Sequence, residues 1–126
     1  LVIVYFDGAS KGSPGASAIG VFINNHGSVQ TFKSSIGVMT NHEAEWKAFI
    51  KALEICVENN YTEALFHSDS KIIVDSVEKN YVKSELFKMD LGMSLNLIKK
   101  FDQFFLKWIP SKENKADPLA REALHL

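Results

Sequence analysis

The stretch Leu1-Val2-Ile3-Val4-Tyr5-Phe6-Asp7-Gly8 decides the architecture. An unbroken apolar, partly β-branched run reads as a strand buried on both faces, which belongs at the centre of a sheet covered by helices on each side. The run stops at Asp7-Gly8, which predicts that the strand ends there with a carboxylate at its tip. After the loop from Gly8 to Gly15, Ala16 to Ile23 reads as a second strand. The turn Asn24-Asn25-His26-Gly27 then returns the chain into a third, running to about Val38. These three predict an antiparallel meander.

Downstream the apolar period changes. Thr40 and Glu43 have capping-box spacing, and Trp46, Phe49, Ile50, Leu53, Cys56 and Val57 recur at helical intervals, with Lys47, Lys51, Glu54 and Glu58 on the opposite, solvated side. Ala64 to His67 predicts a fourth strand, ending at Ser68-Asp69-Ser70. A helix through Ile72, Ile73 and Val77 follows, then another over Leu86 to Phe101, a fifth strand at Phe104 to Ile109, and a last helix opened by Asp117-Pro118. The predicted class is α/β: a five-stranded mixed sheet, built from the meander plus two parallel strands, with helices on both faces. Without a linker, repeat or composition shift, residues 1–126 read as one domain.

Composition narrows the function. With 46% apolar and 23% charged residues the chain is neither disordered nor low in complexity. Its one cysteine, Cys56, falls in the apolar helical pattern and reads as a buried, unreactive thiol suited to a reducing compartment. No stretch nears the roughly 20 apolar residues of a membrane span. Residues 1–6 do not run into a signal-peptide cleavage pattern, so a soluble cytoplasmic enzyme with no membrane association is expected. A net charge of −1 excludes tight nonspecific adhesion to nucleic acid, which needs many cationic contacts to phosphate. Any polyanion must be held locally.

Four acids stand out by position: Asp7 at the end of the central strand, Glu45 in the first turn of the main helix, Asp69 after the fourth strand and Asp117 at the last helix. If the first and fourth strands are parallel neighbours, Asp7 and Asp69 lie side by side at their carboxyl ends. The helical wheel sets Glu45 at the edge of the apolar stripe, from where it can point along the sheet toward them. Such a cluster repels itself unless cations intervene, and hard oxygen donors suit Mg²⁺ or Mn²⁺. Two ions about 3.5–4 Å apart can direct water onto a phosphodiester. Each acid also has a plain alternative: helix capping for Asp69 and Asp117, the helix dipole for Glu45, turn chemistry for Asp7.

With those positions in view, the chain resembles the type 1 ribonuclease H family over essentially its whole length. The segment from Tyr5-Phe6-Asp7-Gly8 to Gly15 resembles the family's first strand and glycine-rich loop. Thr40-Asn41-His42-Glu43-Ala44-Glu45 resembles its Thr-Asn-Asn-x-x-Glu helix start, His67-Ser68-Asp69-Ser70 its third acidic position, and Glu113-Asn114-Lys115-Ala116-Asp117-Pro118-Leu119-Ala120-Arg121 its last. The resemblance implies a ribonuclease H-like fold and two-metal hydrolysis of the RNA strand of RNA/DNA hybrids, leaving 5′-phosphate and 3′-hydroxyl ends. Asp7 would bridge both ions, Asp117 would help hold the ion on the water side, and Glu45 with Asp69 would hold the ion on the leaving-group side. Gly8, Ser10, Ser13, Asn41, His42 and Lys71 are the implied substrate contacts, with 2′-hydroxyls as the mark of RNA.

The departures concern grip. Ser13, His42 and Lys71 stand where many members have Asn, Asn and Gln, and each also reads as an ordinary solvated side chain. Between Lys79 and Lys100 only Lys83, Lys88 and Lys99 are basic, against Glu85 and Asp90, so the basic helical clamp of some relatives is not expected. Tyr81 reads either as a contact in a DNA-strand groove or as packing. The loop before Asp117 lacks the histidine of many relatives, and Glu113 resembles the glutamate that some members use there. The competing functions are a hybrid-binding module that has lost catalysis and a nuclease of this fold acting on another substrate, such as double-stranded RNA. No obligate protein partner is implied.

Overall fold

The computed structural model describes residues 1–125. Strands β1 (Val2–Ser10), β2 (Gly15–Asn25) and β3 (Ser28–Met39) form the predicted meander. Helix α1 (Asn41–Glu58), β4 (Glu63–Ser68), α2 (Lys71–Lys79), α3 (Lys88–Ile98), β5 (Gln103–Trp108) and α4 (Asp117–Leu124) follow. The strand order is β3-β2-β1-β4-β5, with β1 central, β1 and β2 antiparallel, and β4 parallel to both β1 and β5.

Strand alternation sorts the two faces. Val2, Val4 and Phe6 of β1, Val21 and Ile23 of β2, and Ala64 and Phe66 of β4 enter the main core beneath α1. There Phe6 stacks on Phe49 at 4.8 Å between ring centroids, and Phe66 packs on Phe104 at 5.1 Å. Trp46, Phe49, Leu53 and Cys56 are fully buried, as the helical period predicted, and burial pushes the Cys56 thiol up to about 12. The opposite face of β1 and β2 carries Tyr5, Asp7 and Gly20 and receives α4, whose Ala116, Ala120 and Ala123 are fully buried. A Cβ on Gly20 would lie 2.6 Å from the Ala116 carbonyl oxygen, so the small residue lets α4 lie directly on the sheet.

The expected boundaries shift in three places. β1 does not stop at Asp7: Asp7, Gly8, Ala9 and Ser10 pair with Gly20, Ile19, Ala18 and Ser17, so antiparallel bonding to β2 carries the strand three residues past the acid. The helix expected over Leu86 to Phe101 is a 3-10 turn, Glu85–Phe87, followed by the shorter α3. Ser84 caps the turn by accepting from the Leu86 amide. Glu45 is the fifth residue of α1, beyond the first turn, where Glu43 completes the predicted capping box with Thr40. Around α3 the exposed side chains mix apolar Leu86, Met89 and Met93 with charged Glu85, Lys88, Lys99 and Lys100. No helix among the described residues is long and apolar enough to cross a membrane.

Two glycines give opposite expectations. A Cβ on Gly8 would collide with the backbone of Ala44 and Glu45, so Gly8→Ala should lower unfolding free energy by about 1–3 kcal/mol. Gly92 is exposed within α3 with nothing near its missing Cβ, so Gly92→Ala should raise stability by up to about 1 kcal/mol. Urea unfolding of both variants checks the pair, and a neutral Gly8→Ala would contradict the close seat of α1 on β1.

Candidate active site

The site begins with the register of two parallel strands. Tyr5 of β1 stands opposite His67 of β4, so Asp7 and Asp69, each two residues further, emerge on the same side of the sheet. Gly8 admits the first turns of α1 against β1, and this close approach brings Glu45 to the two aspartates. One carboxylate oxygen from each of Asp7, Glu45 and Asp69 lies within 4.8 Å of the others. Asp117 stands outside that triad but close enough to Asp7 for a side-chain hydrogen bond when one of them is protonated. Its Oδ2 also receives Arg121 at 3.0 Å.

The plain explanations of these acids give way to other residues. Ser70, not Asp69, caps α2, accepting from the Ile73 amide at 3.3 Å. Asp117 is the first residue of α4, whose N-cap, Ala116, has no side chain for the task. Asp7 lies within a strand rather than a turn.

Burial makes the triad electrostatically costly. Asp7 and Glu45 are each only 7% exposed. Among the described residues no lysine or arginine lies within ion-pair distance of Asp7, Glu45 or Asp69. Desolvation, then the charge of Asp69 and the proximity of Asp117 and Glu45, pushes Asp7 from 3.8 up to about 9. Burial and the charge of Asp69 raise Glu45 to about 7, against a hydrogen bond from Ser70. Burial also raises Asp69, opposed by the Asn114 amide, which favours the ionised form. A largely buried all-oxygen donor set with no lysine or arginine in contact is chemically suited to divalent cations of the Mg²⁺ or Mn²⁺ class.

Two of the expected substrate contacts, Asn41 and His42, touch this cluster, and the others have surroundings of their own. The Asn41 amide donates to Glu45 Oε1 at 3.3 Å, and His42 Nδ1 is 3.4 Å from the same oxygen. Ser17 directs its hydroxyl proton to backbone carbonyls, so Ser10, 2.6 Å away, donates to Ser17. Ser13 is exposed in the loop between β1 and β2, next to Pro14 across a cis peptide bond. Lys71 is exposed at the start of α2, with its ammonium 5.7 Å from the Trp108 ring centroid. Glu113 is exposed at the end of a 3-10 turn, Ser111–Glu113. Tyr81 is exposed beside Lys79 and Lys83 along a groove of about 360 Å³.

Two residues of the site did not stand out in the sequence as more than neighbours of a motif. Trp108 Nε1 donates to the Asp69 carbonyl at 3.2 Å, bracing the turn that carries the acid. Asn114 is buried between β1, Asp69 and α4. Its only sequence signal was a polar residue three places before Asp117.

Comparison with known proteins agrees with this geometry. A family described as reverse transcriptase-like matches residues 5–123. The Enterococcus faecalis protein EbsB, named only as a hydrolase, is 43% identical over 96% of this chain and 92% of its own length. Ribonuclease HI of Halobacterium salinarum is 32% identical over 98% of this chain, which spans 64% of that protein. The crystal structure of the halobacterial RNase H1 superposes with a TM-score of 0.92 at 30% identity, covering 98% of this chain and 97% of that one. LC11-RNase H1, solved in complex with an RNA/DNA hybrid and isolated from compost, superposes at 0.89 with 29% identity, covering 99% and 97%. The chain belongs to the type 1 ribonuclease H family of enzymes, and its sheet and helices have the ribonuclease H-like arrangement.

The raised carboxyls set a pH dependence. A group whose folded pKa exceeds its unfolded value contributes stability that is complete below the unfolded value and lost as pH climbs through the folded one. With Glu45 at about 7 and Asp7 at about 9, the metal-free protein should weaken progressively from about pH 4 to 9. Asp7→Asn should therefore exceed the wild type by more than about 1 kcal/mol at pH 8 and lose that advantage near pH 4. Thermal melts across this range measure the effect. A flat wild-type profile would show that the cluster carries no ionisation cost.

Proposed function

We propose that this chain hydrolyses the RNA strand of RNA/DNA hybrids with two divalent cations, Mg²⁺ or Mn²⁺, leaving 5′-phosphate and 3′-hydroxyl ends. The observation that carries the reading is the triad of Asp7, Glu45 and Asp69, two of them buried and none in contact with a lysine or arginine, with Asp117 beside Asp7. Asp7, which lies close to all three other acids, would hold such ions in common with Glu45, Asp69 and Asp117. Bound there, such ions supply water activation and charge neutralisation at the scissile phosphate.

The protein's own part is placement. Asp7 is held within β1, Asp69 just past the end of its parallel neighbour β4 and Glu45 by the buried start of α1, so the carboxylates need little rearrangement to receive ions. Asn41 and His42 hold Glu45 Oε1 from the solvent side. The rim that strands would cross carries Gly8, Ser10, Ser13, Asn41, His42 and Lys71, with Glu113 on the far loop. The choice of hybrid is supported by family membership and by the LC11 relative solved with one. With a net charge of −1, binding would rest on a few lysines, so it should be modest in affinity and weakened by added salt.

Labelled RNA/DNA hybrid incubated with the folded protein and Mn²⁺ or Mg²⁺ should yield RNA fragments bearing 5′-phosphates. Asp69→Asn should lower the rate on the order of 10³-fold, the loss of several kcal/mol of charge stabilisation. Duplex RNA and single strands should be cut far more slowly. Binding of hybrid without product under either metal would overturn the catalytic reading, and preferred cleavage of duplex RNA would overturn the substrate.

A further inference from the structure

Asn114 is 3% exposed, and all its polar groups are engaged. Its Nδ2 donates to the Phe6 carbonyl at 3.0 Å and to Asp69 Oδ2 at 3.2 Å, while its Oδ1 accepts from the Ala116 amide at 3.0 Å. Its backbone N–H donates to Ser111 at 3.0 Å, and its carbonyl accepts from the Asp117 amide at 3.1 Å. The partners fix the orientation of the amide, because a carbonyl and a carboxylate only accept whereas the Ala116 N–H only donates.

These contacts bring together the chain segments that carry the aspartates. Phe6 precedes Asp7, Asp69 is touched directly, and Ala116 precedes Asp117. Other side chains do not match the demand. Aspartate would set oxygen against two acceptors, serine has one proton for two acceptors, and glutamine is one methylene too long for the enclosed space. A buried amide with every partner satisfied is rigid, and removing it leaves the Phe6 carbonyl and one face of Asp69 without donors.

We propose that Asn114 is the positioning residue of the metal site: it fixes the Asp69 carboxylate against β1 and, through its main chain and Oδ1, sets the start of α4 from which Asp117 reaches Asp7. This inference rests on the metal-dependent reading of the site but not on the identity of the nucleic acid. It assigns Asn114 no contact with the reacting atoms. A partner of this kind around ligating carboxylates commonly supports metal affinity by about 10- to 100-fold.

The test is a Mn²⁺ titration of wild type, Asn114→Ala, Asp69→Asn and the double variant, read by water-proton relaxation enhancement at a temperature where each is folded by circular dichroism. Asn114→Ser, which keeps a polar atom in the buried site but only one proton to donate, takes the place of the alanine variant where that does not fold. Asn114→Ala, or Asn114→Ser in its place, should weaken Mn²⁺ binding by about 10-fold or more in the wild-type background. Added to Asp69→Asn, the same change should cost clearly less affinity than in the wild-type background, because the part of its action that runs through Asp69 is already lost and only the part through Asp117 remains. Unchanged affinity in a folded Asn114 variant would overturn the inference alone, as would equal losses in both backgrounds, the signature of a merely structural role. Absence of Mn²⁺ binding by the wild type would overturn the metal-dependent reading and this inference with it.

Discussion

The parallel pairing of β1 with β4 is the constraint on which the rest depends. Side chains alternate strictly along a strand, so a slip of one residue in that register would send Asp69 to the opposite face from Asp7. The pairing is held by burial on both sides, with Val2, Val4, Ala64 and Phe66 facing α1, while Tyr5 and His67 stack at 4.5 Å on the other face. Once these strands are in register, the missing side chain at Gly8 lets the backbone of α1 lie directly against β1. Glu45 follows from that approach.

The same arrangement works against the fold. Removing two carboxylates from water beside a third, without a lysine or arginine in contact, is destabilising wherever they ionise. Opposing it is the aromatic packing directly beneath. Phe6, the residue before Asp7, stacks on Phe49, which meets Phe66 edge-on at 6.1 Å and packs near Trp46 at 6.3 Å. Each large apolar side chain contributes about 1.5–3 kcal/mol when fully buried, so this cluster can outweigh a local electrostatic cost of a few kcal/mol. The mouth of the site is therefore polar and strained by charge, while its floor is apolar and densely packed.

This division explains what was legible in the sequence. The central strand, the meander, the capping box of α1 and its buried stripe all leave periodic signals, and each has its counterpart in the structure. The acids were visible because they interrupt or border those signals at element ends. The extension of β1 to Ser10 was not, because Gly8, Ala9 and Ser10 have weak strand preference and owe their conformation to pairing with β2. The 3-10 break before α3 arises from the Ser84 cap, which resembles any other serine in a polar segment. Trp108 and Asn114 were hidden for a related reason: their partners are backbone groups and a carboxylate distant in sequence, and hydrogen bonds of that kind have no period.

Cutting and gripping are built on different parts of the molecule. The carboxylates stand on a central strand, at the end of its parallel neighbour and at two helix starts, where a change of backbone would disturb the core. Ser13, Lys71 and Glu113 are exposed on loops and helix ends, and His42 is half-exposed at the start of α1, so their identities are only weakly constrained by packing. The chain accordingly keeps the acidic pattern of its family and departs from it at the rim. Around α3, exposed Leu86, Met89 and Met93 add no charge, and Lys88 is paired with Glu85, which weakens long-range attraction for phosphate from that side. Attraction then falls to short-range contacts at the rim, which act only within about a Debye length, roughly 8 Å at physiological salt. On the proposed function, a nucleic acid held in this way would be recognised where it meets the carboxylates, and the geometry of that cluster would contribute to substrate selection as well as to chemistry.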